Sequence, residues 1–219
     1  MPPRDAPDEQ RLRLDLVQTM QAMAARGLNR GTSGNASVRC GEQLLITPSG
    51  VVPERLTPEG VVLIDREGRA ADGALKPSSE WRMHWGVLEG RPDARAVVHC
   101  HSRHATILAC AGRSVPAIHY MVAAAGRSDI PLAPYRTFGS AELAEAVVET
   151  LQGGRACLMA NHGQIAIGPS LSRALAIAEE VEEQAAVYWG ALAIGGPKLL
   201  DELEMAAVLQ QFSHYGQRR

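Results

Sequence analysis

The 219 residues suffice for one packed domain, and 46% of them are hydrophobic, so a sizeable core is available. Lys+Arg 22 against Asp+Glu 24 leaves a net charge of -2, with aromatics at 4%. That balance excludes a basic face for nucleic acid, an acidic tail and stacked-base recognition from the expected functions. The first residues, MPPRDAPDEQRLR, lack the apolar run of a secretion signal. The longest apolar stretch, AAVYWGALAIGG, falls short of the ~20 residues that cross a bilayer. Cys40, Cys100, Cys110 and Cys157 form no CxxC pair and read as reduced, mostly buried thiols of a cytoplasmic protein. Neither repeat nor linker interrupts the chain, so residues 1–219 are expected to form a single domain.

In chain order, residues 8–26 predict an amphipathic helix with Leu12, Leu16, Met20 and Met23 on one face and Gly27 as its stop. QLLIT and VVLID predict short strands either side of a turn-rich segment. A helix is expected from Ser79 to Leu88, ended by Gly90 and Pro92. ARAVVHC predicts a buried strand, SRHATILACAG a short helix, and IPLAPY a strand. Ser140 is placed to cap a helix with Leu143, Val147 and Leu151 spaced four apart. ACLMA and QIAIG predict a hairpin with NHG at its tip. A long helix from Ser170 to Ala193 follows, then one over 201–212 bearing Leu203, Val208 and Phe212. Helices and strands alternate irregularly, which predicts an α/β sandwich with a mostly antiparallel sheet flanked by helices. The chain is short for a closed eightfold barrel, which takes ~250 residues.

VVHCHSRH, residues 97–104, holds three histidines. Side chains alternate on a strand, so His99 and His101 point one way and Cys100 the other. Such a pair either clamps a metal through two nitrogens or hydrogen-bonds the backbone at a strand end. His162 at the NHG tip and Glu80 in KPSSEW each have an ordinary alternative, as a turn residue and as a helix first-turn acid. Together, His99, His101, His162 and Glu80 make a His₃Glu set suited to Zn²⁺ or another divalent ion, one per subunit. His104 reads as peripheral or surface. The HxHxDH metallohydrolase pattern fails, because Arg103 stands where its Asp is required.

GTSGNASVR, LLITPSG, KPSSEWRMH, AVVHCHSRH, VPAIHYMVAAAG, APYRTFGS and NHG, in that order, resemble the class II aldolase family, to which the adducin head domain is also similar. The likeness covers nearly the whole chain. It implies a nine-stranded type of antiparallel sheet, a three-layer sandwich, and a homotetramer with active sites between subunits. It also implies zinc on Glu80, His99, His101 and His162. The small polar segments around Gly31 and Gly34 could wrap a phosphate by themselves, or be plain turns. The resemblance assigns phosphate binding to Gly34, Asn35, Ser49, Gly50, Ser78 and Ser79, with Ser49 replacing an expected Thr. It gives catalytic roles to Glu80, Tyr120 and Tyr215, and Phe138 a place on the aldehyde pocket.

The implied reaction is cleavage of a deoxy-ketose 1-phosphate to dihydroxyacetone phosphate and an aldehyde such as L-lactaldehyde. Its negative charge needs a Schiff-base lysine or a metal. Lys76 and Lys198 each adjoin a proline in loop-like sequence, which leaves the metal. Two alternatives stand beside this expectation. One is a sugar-phosphate 4-epimerase, which tends to carry Asp in place of Glu80 and to lack the AIHYM tyrosine. The other is a non-catalytic adducin-like module that has lost the ligands. Neither nucleic acid nor membrane is an expected partner.

Overall fold

The computed structural model describes residues 9–212. Helix α1 (Glu9–Ala25) buries Leu12, Leu16, Val17, Met20 and Met23. The strands are β1 (Asn35–Cys40), β2 (Gln43–Ile46), β3 (Val62–Ile64), β4 (Ala96–Cys100), β5 (Leu132–Ala133), β6 (Ala156–Met159) and β7 (Gly163–Gly168). They form one sheet in the order β3-β2-β1-β4-β7-β6-β5. Every pairing is antiparallel except β5 with β6. The other helices are α2 (Trp81–Gly90), α3 (Arg103–Cys110), α4 (Ala141–Thr150), α5 (Leu171–Ala193) and α6 (Glu202–Phe212). A 3₁₀ segment runs over Tyr120–Ala125. No helix among the described residues is long and apolar enough to cross a membrane.

The two faces of the sheet make two cores, which gives the expected three layers. Ala96, Val98 and Cys100 of β4 face α1, α3 and α5. Val97 of the same strand joins Ile165, Ile167 and the α2 and α4 residues Met83, Val87, Leu143 and Val147 on the other side. Period-two alternation divides the strand, and both halves are apolar because both faces are covered. Val97 and Val98 are fully buried, each contributing about 1.5–3 kcal/mol as an upper estimate. The Ser140 hydroxyl accepts from the Leu143 N–H and caps α4 as expected. Leu143, Val147 and Leu151 are all buried.

Several expectations are corrected. Seven strands form the sheet among the described residues, not nine. No strand was expected after Gly34, but β1 begins at Asn35 and lies beside β4 in the middle of the sheet. The IPLAPY strand shrinks to Leu132–Ala133 and pairs in parallel. The helix expected from Ser79 begins at Trp81, with Glu80 as its N-cap. Leu203 is 82% exposed, and Met205 takes the buried place on α6. Cys100 and Cys157 are buried, Cys40 is half-buried and Cys110 is exposed, all as free thiols.

Candidate metal centre

The site grows from one register. In the β4–β7 pairing, His99 lies opposite Ile165 and Cys100 opposite Gln164. The β6–β7 turn then carries His162 back over the end of β4. Asn161 takes φ 54, a left-handed conformation that asparagine tolerates better than most residues. The His162 N–H closes the turn on the Met159 carbonyl at 3.1 Å. Close approach completes it: a Cβ on Gly163 would sit 2.5 Å from the Cys100 carbonyl oxygen and 3.0 Å from His101 Cδ2. Gly163→Ala is therefore expected to cost roughly 1–3 kcal/mol through forced separation of the strand ends. A lowered thermal midpoint together with weaker metal retention would confirm this; an unchanged midpoint would refute it.

His99, His101 and His162 converge, with one ligand nitrogen from each lying within 4.8 Å of the others. The His99 and His101 Nε2 atoms are 3.1 Å apart. The rings stand edge to face, with centroids 4.8–5.0 Å apart. His99 Nδ1 lies 2.8 Å from the Gln164 carbonyl oxygen. A carbonyl only accepts, so Nδ1 carries a proton and Nε2 is the nitrogen aimed at the centre, the one a metal ion would take. The two alternatives for His99, backbone bond or metal clamp, are thus met by opposite edges of one ring. Burial, then the charges of His99 and His162, holds His101 down at about 4, so it offers a neutral lone pair.

Glu80 supplies the fourth wall. As N-cap of α2 it makes no side-chain cap hydrogen bond. Its Oε2 lies 3.2 Å from His99 Nε2 and its Oε1 lies 3.2 Å from His162 Nε2. Burial alone would raise its pKa, but the charge of His99 and contacts with both imidazoles outweigh it and hold the carboxyl well below the usual range. Oε1 is buried without a hydrogen-bond donor. A buried carboxylate oxygen facing imidazole nitrogens that a metal ion could take in place of protons fits a divalent cation. Borderline nitrogen and oxygen donors suit Zn²⁺ and its neighbours among the divalent metals.

The neighbours of Glu80 are polar and buried. Asn35 Nδ2 donates to Glu80 Oε2 at 2.9 Å. Asn35 Oδ1 contacts His84 Nε2, and His84 Nδ1 lies 2.7 Å from Ser37 Oγ. The Asn35 side chain, expected on a phosphate, is thus engaged at both ends inside the protein. Neither His84 nor Ser37 was singled out from the sequence. The available signals were spacing four from Glu80 along a helix, and spacing two from Asn35 along a strand.

The remaining phosphate candidates lie on segments stitched together by backbone. Ser49 N–H donates to the Lys76 carbonyl and Ser78 N–H to the Thr47 carbonyl. Those amides are occupied, so these serines offer their hydroxyls instead. Ser49, Gly50 and Ser79 are exposed and Gly34 half-buried, while Ser78 is buried and accepts from the Glu80 N–H at 3.3 Å. Tyr120 is 50% exposed and packs on His119 with ring centroids 4.6 Å apart. Phe138 is 66% exposed. Tyr215 lies outside the described residues. His104 is peripheral: its Nδ1 is 2.8 Å from Glu182, whose carboxylate also accepts from the N–H groups of His104 and Ala105 and so caps α3.

A mostly antiparallel sheet that gathers three imidazoles and a buried carboxylate at the ends of its central strands defines an α/β protein with a group that could hold a metal ion. The chain belongs to the class II aldolase and adducin N-terminal domain family, whose pattern matches residues 14–189. It is 49% identical over 205 residues to the 5-methylthioribulose-1-phosphate/5-deoxyribulose-1-phosphate aldolase of Rhodospirillum rubrum, covering 94% of this chain and 92% of that one. It is 46% identical over 212 residues to the L-fuculose phosphate aldolase of Escherichia coli, covering 96% and 98%. A solved structure named L-fuculose 1-phosphate aldolase superposes with a TM-score of 0.89 at 37% identity, covering 93% and 96%. Within the family the chain sides with the aldolases, which are lyases.

Proposed function

We propose that the protein is a zinc-dependent aldolase that cleaves a deoxy-ketose 1-phosphate, reversibly, to dihydroxyacetone phosphate and an aldehyde. The convergence of the His99, His101 and His162 nitrogens on Glu80 carries this reading. L-Lactaldehyde is the aldehyde if the substrate is L-fuculose 1-phosphate. The names of the relatives also favour 5-deoxyribulose 1-phosphate and its methylthio analogue. These sugars differ only at the end remote from the phosphate, where a methyl or hydroxyl is worth ~1–3 kcal/mol.

Zinc bound by His99, His101, His162 and Glu80 would act as a Lewis acid on the substrate carbonyl. The chain's own groups do the rest. Held ionised by its imidazole neighbours, Glu80 can remove a proton from the hydroxymethyl carbon of dihydroxyacetone phosphate in condensation. It returns that proton to the same carbon in cleavage. In cleavage the C4 hydroxyl loses its proton, the C3–C4 bond breaks, and its electron pair passes toward the C2 oxygen. Tyr120 is proposed to hold the C4 oxygen and Tyr215 to assist it. Gly34, Ser49, Gly50, Ser78 and Ser79 are proposed to bind the phosphate, with Asn35 contributing backbone rather than side chain. Half-exposed Tyr120 fits a site completed by a second subunit of a homotetramer. Residues 1–219 are taken as one domain of a cytoplasmic enzyme.

A coupled assay for dihydroxyacetone phosphate over a panel of ketose 1-phosphates, with and without chelator, tests the proposal. Turnover of at least one deoxy sugar is expected, abolished by chelation and restored by Zn²⁺. Metal-replete protein that cleaves none of them would overturn it. Interconversion of pentulose 5-phosphate epimers would instead establish epimerase chemistry.

A further inference from the structure

Two buried pairs face each other beneath the metal centre. Glu80 and His84, four apart, lie on one side of the first turn of α2. Asn35 and Ser37, two apart, lie on the same face of β1. Their contacts form a single line: Ser37 Oγ to His84 Nδ1 at 2.7 Å, His84 Nε2 to Asn35 Oδ1, and Asn35 Nδ2 to Glu80 Oε2 at 2.9 Å. Ser37 and His84 are fully buried, so water cannot exchange into the inner links.

The charge at one end dictates every proton along this line. An ionised Glu80 only accepts, so Asn35 must turn its NH₂ toward it. Asn35 then offers only a carbonyl oxygen to His84, so His84 Nε2 must carry the ring proton. His84 Nδ1 is left bare and accepts a hydrogen bond from the Ser37 hydroxyl. With the other tautomer, His84 Nε2 would accept from the Asn35 amide, and the Asn35 oxygen would face the Glu80 carboxylate. His84 is fully buried with both ring nitrogens engaged by neutral groups, which favours the neutral ring.

We infer that His84 is a positioning residue: through the Asn35 amide it anchors Oε2 of Glu80, leaving Oε1 free to turn between metal and substrate. The inference rests on the proposed role of Glu80 as ligand and base. One oxygen held and one without a donor is the arrangement a swinging carboxylate requires. Without the anchor, the carboxylate would retain its attraction to the metal but lose its fixed pivot. Chemistry would then suffer more than metal binding or substrate affinity.

The test has two arms. In protein labelled with ¹⁵N-histidine, long-range ¹⁵N–¹H spectra report each ring's tautomer; loss of one ring's signals in His84→Gln assigns His84. The Nε2–H form is expected, unprotonated from pH 5 to 8, with or without Zn²⁺. An Nδ1–H or doubly protonated ring overturns the inference. This arm needs no turnover, so it stands apart from failure of the aldolase assay. In the second arm, His84→Leu is expected to lower kcat by about tenfold, with KM and bound zinc per chain unchanged. His84→Gln, which restores an N–H donor, is expected to recover most of that loss. A zinc-loaded His84→Leu with wild-type kcat, or an equal loss in both variants, overturns the inference. If His84→Leu does not fold, Ser37→Ala replaces it: Glu80, through Asn35, still requires the Nε2–H form, so the tautomer is expected to be unchanged although Nδ1 has lost its donor. An Nδ1–H ring in that variant would show that Ser37, and not the line to Glu80, sets the proton, and would overturn the inference.

Discussion

Glu80→Gln is expected to lower turnover by about 10²–10⁴-fold while leaving fold and metal content in place. The substitution preserves volume, and the glutamine oxygen can still accept from Asn35 Nδ2, which now bonds Oε2 at 2.9 Å. What disappears is the negative charge and the capacity to exchange a proton. The three imidazole nitrogens remain within 4.8 Å of one another, enough to retain a divalent ion. Metal analysis and steady-state kinetics on the same preparation separate the two effects. Turnover near wild type with stoichiometric metal would remove Glu80 from the chemistry.

His162→Ala should do the reverse, removing metal first and activity as a consequence. His162 sits at the tip of the β6–β7 turn, half-buried, so its loss leaves no large cavity. Closed zinc sites bind with about 10–16 kcal/mol. Shared over four ligands, that is roughly 2.5–4 kcal/mol each, or about two to three orders of magnitude in affinity. Dialysis against dilute chelator should strip the variant while the wild type stays loaded. Turnover should fall with metal content, and excess Zn²⁺ should partly restore both. A variant that keeps its metal through the same dialysis would show that the imidazole is not a ligand.

Much of this was legible in residue patterns. The β4 strand is apolar on both faces, and His99 near its end shares a side with His101 just beyond it, so the clamp could be foreseen. The β6–β7 hairpin was marked by apolar runs around NHG, and the α4 cap by Ser140. Glu80 was recognisable only in company, because an acid at a helix start is usually a surface residue. β1 was overlooked because the glycines and hydroxyls just before it, Gly31, Thr32, Ser33 and Gly34, imitate a turn. Its alternation of Asn35, Ser37 and Arg39 with Ala36, Val38 and Cys40 was present, but the polar half faces α2 instead of solvent. His84 carried only its spacing of four from Glu80 as a local signal. Only the packing of a helix on a strand reveals its partner. Leu203 failed for the opposite reason: a helical spacing of apolar residues does not say which of them the neighbouring surface will cover.

The β4–β7 register has a kinetic corollary. The His99 to Gln164 bond closes a separation of 65 residues, and Glu80 arrives at the start of α2, which packs on the face of β4 that carries His99. No fragment made early in synthesis holds the whole ligand set, so a nascent chain has little hold on the ion. Capture of the metal is then a late event that reports a finished sheet.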